Sequence, residues 1–297
     1  KENAGRQLVD YLAKSGIVAH QRVGARIALD LGLEEAALDL SRRVANDLEG
    51  RSREMFLAEV ARRARETGLS LAASWAYEEL GRGASTPSER RQFDQRIIDV
   101  ALAAGDTAAA LEAQRRVANS FSLESIDRRR ATAQVIRLES ARADPARLTQ
   151  LLQAFRDEFP SAPELDDLAA TVAKGLQVRG DLEGAAAVLD GIEGPRSGLE
   201  RAYLMLDMGE IALGRGALFN VIEGLQPTEA TNVIQFAGLL GRLSEEAAEV
   251  LARAGVLAHR GLWLSHERVE PGTHFSRLFG TPCARPAADA ARVKGER

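Results

Sequence analysis

Apolar residues recur along most of this chain at intervals of three and four, the spacing that lines one face of an α-helix. The runs are interrupted by glycine. Residues 171–194, TVAKGLQVRGDLEGAAAVLDGIEG, show the unit: a helical run, Gly180-Asp181, and a second run rich in alanine. Glycine reaches positive φ and so ends a helix, and aspartate accepts the unpaired N–H groups that open the next. The same phrase returns at Gly32, Gly68, Gly105 and Gly216, and a glycine-free version falls at Ala143-Asp144-Pro145. The intervals between glycines are 36, 37, 75 and 36 residues, the long one being two periods. A repeat of this length, made of two helices, predicts an α-solenoid.

The predicted pairs are 17–31 with 33–48, 50–66 with 69–80, 90–104 with 107–120, 122–142 with 146–158, 164–179 with 182–192, and 195–215 with 217–225. Residues 2–14 hold Leu8, Val9 and Leu12 at helical spacing and read as an unpaired or capping helix. Beyond Pro227 the phase is lost, and 229–240 and 244–258 read as two more helices. Three regions follow: an N-terminal helix within 1–16, a repeat array over 17–258, and an irregular cap or tail over 259–297. Trp263, Phe275 and Phe279 are expected to cover the end of the array.

The chain resembles the tetratricopeptide-repeat family over roughly residues 17–255. The likeness is carried by the Gly-Asp breaks and by a small residue seven places before a break, at Ala25, Ala61, Ala173 and Gly209. Alanine five places after it, at Ala37, Ala73, Ala110 and Ala185, completes the pattern. Ile98 and Ile136 depart from it, and alanine or valine stands where the family has aromatic residues. The resemblance implies an all-α, right-handed superhelical α-solenoid of about six helix-turn-helix repeats plus terminal helices. It also implies that the first helix of each pair lines a concave face, into which the residue six places before each break points. Those residues are Arg26, Arg62, Asp99, Arg137, Lys174 and Glu210. Arg22, Arg65 and Arg130 fall on or near the same face by helical spacing.

Composition narrows the function. Ala, Leu, Glu and Arg dominate, all good helix formers. The formal charge of −4 gives no general field for nucleic acid. Arginine outnumbers lysine 35 to 4, as a coding bias would give. A lone cysteine forms no internal disulfide, and no apolar run matches a membrane span. That pattern leaves cytoplasm and periplasm open for a soluble, bacterial-type chain. It begins at Lys1, as a processed, trimmed or excised chain would. His259, His266, His274 and Cys283 lie seven, eight and nine residues apart, which matches no helical or knuckle-type metal spacing. No phosphate loop or nucleophile elbow occurs.

The sequence therefore points to a non-catalytic scaffold for protein partners, with no cofactor and no metal. A peptide, acidic or ending in a carboxylate, would be held in the groove by Arg22, Arg26, Arg62, Arg65, Arg130, Arg137 and Lys174. Two alternatives stand beside it: a regulatory or metal-dependent unit centred on the C-terminal His/Cys segment, and a fragment of a larger sensor or regulator.

Overall fold

The structure is a computed structural model describing residues 2–140 and 142–261. Fifteen α-helices and one short 3-10 turn make up the described residues, with no strand among them. After α1 (Glu2–Ala13) come six antiparallel pairs: α2 (Val18–Asp30) with α3 (Glu34–Asn46), α4 (Gly50–Glu66) with α5 (Ser70–Gly83), α6 (Pro87–Ala103) with α7 (Thr107–Asn119), α8 (Ile126–Ser140) with α9 (Pro145–Glu158), α10 (Leu165–Val178) with α11 (Leu182–Leu189), and α12 (Pro195–Asp207) with α13 (Ile211–Val221). The turn Ile222–Gly224 leads to α14 (Pro227–Leu240) and α15 (Glu245–His259). This is an all-α solenoid with tetratricopeptide-like helix pairs.

The breaks form as glycine and aspartate chemistry requires. Gly32, Gly68, Gly105 and Gly180 have φ of +72°, +76°, +76° and +82°. At each, the following N–H reaches back to the carbonyl five residues earlier, as in Leu33 N to Ala28 O at 2.9 Å and Asp181 N to Leu176 O at 3.0 Å. That bond closes a left-handed helix end and satisfies a carbonyl with no partner within the helix. Asp106, Asp144 and Asp181 then accept from Ala109 N, Arg147 N and Gly184 N at 2.8–3.0 Å. Two starts are capped from a neighbouring pair instead. Glu34 accepts from Leu71 N at 2.7 Å, and Asp166 accepts from both Arg196 N and Ser197 N at 3.0 and 2.8 Å.

The sixth break is not at Gly216. Gly216 lies inside α13, and the turn is made by Gly209, with φ +83° and Glu210 N bonded to Met205 O at 2.9 Å. The predicted helices 195–215 and 217–225 are therefore wrong. The cause is length: α11 has only eight residues, so the last interval shortens to 209 − 180 = 29. Rephasing restores the small-residue rule. Ala202 stands seven places before Gly209 and Gly214 five after, and both are buried. A Cβ at Gly214 would come within 2.7 Å of the Leu206 side chain and 3.1 Å of Ala202 O, so the two helices touch there. Gly216 has nothing within 4 Å. Gly216→Ala should therefore raise stability by about 0.5–1 kcal/mol, because alanine suits a helix interior better. Gly209→Ala should lower it by about 1 kcal/mol, since a Cβ disfavours positive φ. Chemical denaturation of the two variants reads the sign, and opposite signs would restore the Gly216 break.

The core is a spine rather than a ball. One apolar cluster runs from Val9 to Val135, a second from Ala133 to Leu204, and a third from Leu199 to Val256. Neighbouring clusters meet in α8 and α12, which supply residues to both sides. Along this spine α2 packs on α4, and α8, α10 and α12 pack in succession, with α15 closing against α12. The ladder is interrupted at α6, which packs chiefly on α5 and α7. Thr86 starts α6 with a reciprocal cap: its side chain accepts from Glu89 N at 3.2 Å, and Glu89 accepts from Thr86 N at 3.2 Å.

Candidate functional site

Burial alternates cleanly at the two positions before each break. The residue seven places before is buried in every pair: Ala25, Ala61, Ile98, Ile136, Ala173 and Ala202 are at most 4% exposed. Its successor is not buried in any. Arg26, Arg62 and Asp99 are exposed, while Arg137, Lys174 and Tyr203 are half-buried. Tyr203 replaces Glu210 in this series, because the sixth break is Gly209.

A cleft of about 700 Å³ opens on this side of the second half of the array. From α10 it is lined by Asp167, Ala170, Thr171, Lys174, Gly175 and Val178. Arg179, Arg196, Glu200, Arg260 and Ser140 complete it. The α10 residues stand thirteen, ten and six places before Gly180 at Asp167, Ala170 and Lys174. Carried to the other first helices, the same offsets give Arg22, Arg26, Arg62, Arg130 and Arg137. Of the seven predicted groove residues only Lys174 lines this cleft; Arg22, Arg26, Arg62, Arg130 and Arg137 share the repeat offsets of its α10 lining. Arg65 does not: its α10 counterpart is Gln177, which is 1% exposed and lies in the spine.

The pairing of these cations separates them. Arg62 bonds to Glu66 at 2.7 and 2.9 Å. Arg137 bonds to Asp167 at 2.7 and 3.2 Å, tying α8 to α10. Arg22 stands 3.8 Å from Glu59 and over the Phe56 ring. Arg26, Arg65, Arg130 and Lys174 have no ion-pair partner among the described residues. Partnering was only partly visible in the sequence: Arg62–Glu66 is an i,i+4 pair within α4, whereas Glu59 and Asp167 reach Arg22 and Arg137 from a neighbouring helix.

The far wall of the cleft holds a cluster that sequence spacing did not reveal. His259, at the end of α15, bonds through Nε2 to Glu200 Oε1 at 2.7 Å. Its ring stacks on Tyr203 at 3.9 Å, and Tyr203 stacks on Phe236 at 6.0 Å. Arg260 bonds to Asp207, one α12 heptad beyond Glu200. Glu200 is 6% exposed, and its Oε2 has no hydrogen-bond partner. The one available signal was Glu200, Tyr203 and Asp207 on one stripe of α12, which requires knowing that α12 ends at Asp207.

Burial, with the nearby charges of Glu200 and Glu229, pushes the Tyr203 hydroxyl up to about 12. Burial and nearby carboxylates both disfavour the phenolate. The folded state therefore binds this proton more tightly than the unfolded chain, where tyrosine titrates near ~10. Stability from this source is present below pH ~10 and is lost as pH rises through about 12. Alkaline unfolding should begin later in Tyr203→Phe, which has no proton to lose; identical alkaline profiles would contradict this.

The remaining members of the predicted C-terminal cluster, His266, His274 and Cys283, lie outside the described residues, as do Trp263, Phe275 and Phe279. Among the described residues no group of three or more His, Cys, Asp or Glu is placed to hold a metal ion. No described helix is long and apolar enough to cross a membrane.

No family model and no curated protein matches the sequence. Among solved structures, the chain is similar to nearly identical TPR-like repeats assigned to a Podosopora anserina kinesin light chain. Identity is 18%, covering 62% of this chain and 95% of that one, with a TM-score of 0.36. It is also similar to a tetratricopeptide repeat protein from Parabacteroides merdae ATCC 43184, at 13% identity over 80% of this chain and 90% of that one, TM-score 0.36. Neither comparison says what this chain binds.

Proposed function

We propose that this chain is a non-catalytic scaffold whose first-helix face holds an acidic segment of a protein partner. The observation that supports this reading is the recurrence, at shared repeat offsets, of cations with no carboxylate partner among the described residues: Arg26 on α2, Arg130 on α8 and Lys174 on α10, the last lining the cleft. An extended or helical segment laid across these helices would meet such a cation on α2, α8 and α10, with charge-assisted hydrogen bonds supplying the contacts. Exposed charges are screened by salt, so capture should weaken as ionic strength rises.

The partnering of the arginines decides which variant tests this. Arg62 and Arg137 are poor choices, because reversing Arg137 would set a carboxylate against Asp167 and disturb the α8–α10 contact. Arg26 and Arg130 touch no carboxylate and are exposed. The double variant Arg26→Glu, Arg130→Glu should keep its helical circular dichroism and melting temperature. It should lose at least tenfold in affinity for the partner recovered on the wild-type chain. Unchanged affinity would remove the acidic-segment reading.

A further inference from the structure

The cleft carries two positive charges that no carboxylate among the described residues neutralises. Its carboxylates are already engaged, Asp167 by Arg137 and Glu200 by His259. Two of its guanidiniums are also engaged, Arg196 by Glu229 at 2.7 and 2.8 Å and Arg260 by Asp207. Lys174 has no ion-pair or hydrogen-bond partner among the described residues. Arg179 bonds only to backbone carbonyls, Gly175 O at 2.7 Å and Ser140 O at 3.3 Å. It therefore lies folded back over Gly175, beside Lys174, where a Cβ would sit 3.4 Å from its guanidinium. Further cations, Arg196 from α12 and Arg260 beyond α15, stand on the other walls. Ala170 and Gly175 keep α10 slim between these walls, and Val178 adds an apolar edge.

A carboxylate is flat, carries one charge and presents two oxygens. A phosphate monoester carries close to two charges at neutral pH and presents three oxygens in different directions. Two uncompensated cations side by side match the charge of the second group better. We infer that this cleft seats a phosphorylated side chain of the partner segment, an inference that rests on the proposed binding of an acidic segment by the first-helix face. Lys174 and Arg179 bind the phosphate oxygens directly, while Arg196 and Arg260, each already paired with a carboxylate, line the opposite walls.

The test uses the full chain and two small probes, N-acetyl-phosphoserine amide and N-acetyl-glutamate amide. Amide chemical shifts locate binding, and the same titration gives affinity. The phosphorylated probe should shift the amides of Thr171, Lys174, Gly175 and Val178, and should bind at least tenfold more tightly than the glutamate probe. Lys174→Met, which breaks no ion pair or side-chain hydrogen bond among the described residues, should weaken the phosphorylated probe about tenfold with an unchanged melting temperature, as loss of one charge-assisted bond predicts. Equal binding of the two probes, shifts confined to other helices, or no effect of Lys174→Met would each overturn the inference. If these fail while Arg26→Glu, Arg130→Glu still abolishes partner capture, the phosphate seat falls and the scaffold reading stands. If the double variant also leaves capture intact, both fall.

Discussion

Phe155→Ala is expected to cost about 3–5 kcal/mol, the largest loss from any single substitution considered for this chain. Phe155 is 1% exposed, lies 5.2 Å from the Phe159 ring, and sits in the cluster shared by α8, α9, α10 and α11. Truncation removes its buried surface and leaves a cavity that two rigid helix pairs cannot close. In a solenoid each pair leans only on its neighbours, so the damage should be local. Hydrogen exchange should show α8 to α11 losing the most protection, with α2 to α5 close to wild type. A uniform loss along the chain would mean that it behaves as one cooperative core, contrary to the three linked clusters.

His259→Ala should be nearly as costly, at about 3 kcal/mol. The Glu200 side chain is 8% exposed and His259 is 16% exposed, so the pair lies largely out of water. Removing His259 leaves Glu200 with no partner for either oxygen, and a buried carboxylate without a partner is strongly destabilising. The stacked ring over Tyr203 is lost as well. The double variant Glu200→Gln, His259→Ala should recover much of the loss, because an amide costs less to bury than a charge. Denaturant midpoints for the two variants separate the possibilities: if the double variant is no more stable than His259→Ala, the loss is packing alone.

Much of the architecture was legible because helix breaks have local chemistry. Gly32, Gly68, Gly105 and Gly180 each meet a positive-φ requirement that no neighbour competes for, and Asp144-Pro145 supplies a cap and a first-turn residue where glycine is missing. The segment GEIALGRG offered three glycines and no aspartate, and the period of 36 chose the wrong one. Only the short α11 distinguishes them, and its length is set by packing against α9, α10 and α12. The groove was half legible. Offsets from the breaks give Arg22, Arg26, Arg62, Arg130 and Arg137 the repeat positions of the α10 residues that line the cleft, and of the predicted residues Lys174 alone lines it. Which of them are free depends on Glu59, Glu66 and Asp167, two of them on adjacent helices. The His259–Glu200 contact spans 59 residues and follows no repeat offset, so periodicity could not announce it.

The scaffold reading rests on where an acidic segment lies, and residue-level mapping tests this most directly. The full chain would be titrated at low ionic strength with a helical peptide of alternating glutamate and alanine blocks, and amide shifts followed. The expected result is a set of shifts on α2, α4, α8 and α10, strongest near Arg26, Arg130 and Lys174, and fading as salt is added. Shifts confined to α3, α5, α7 and α9, or none at any salt concentration, would contradict it.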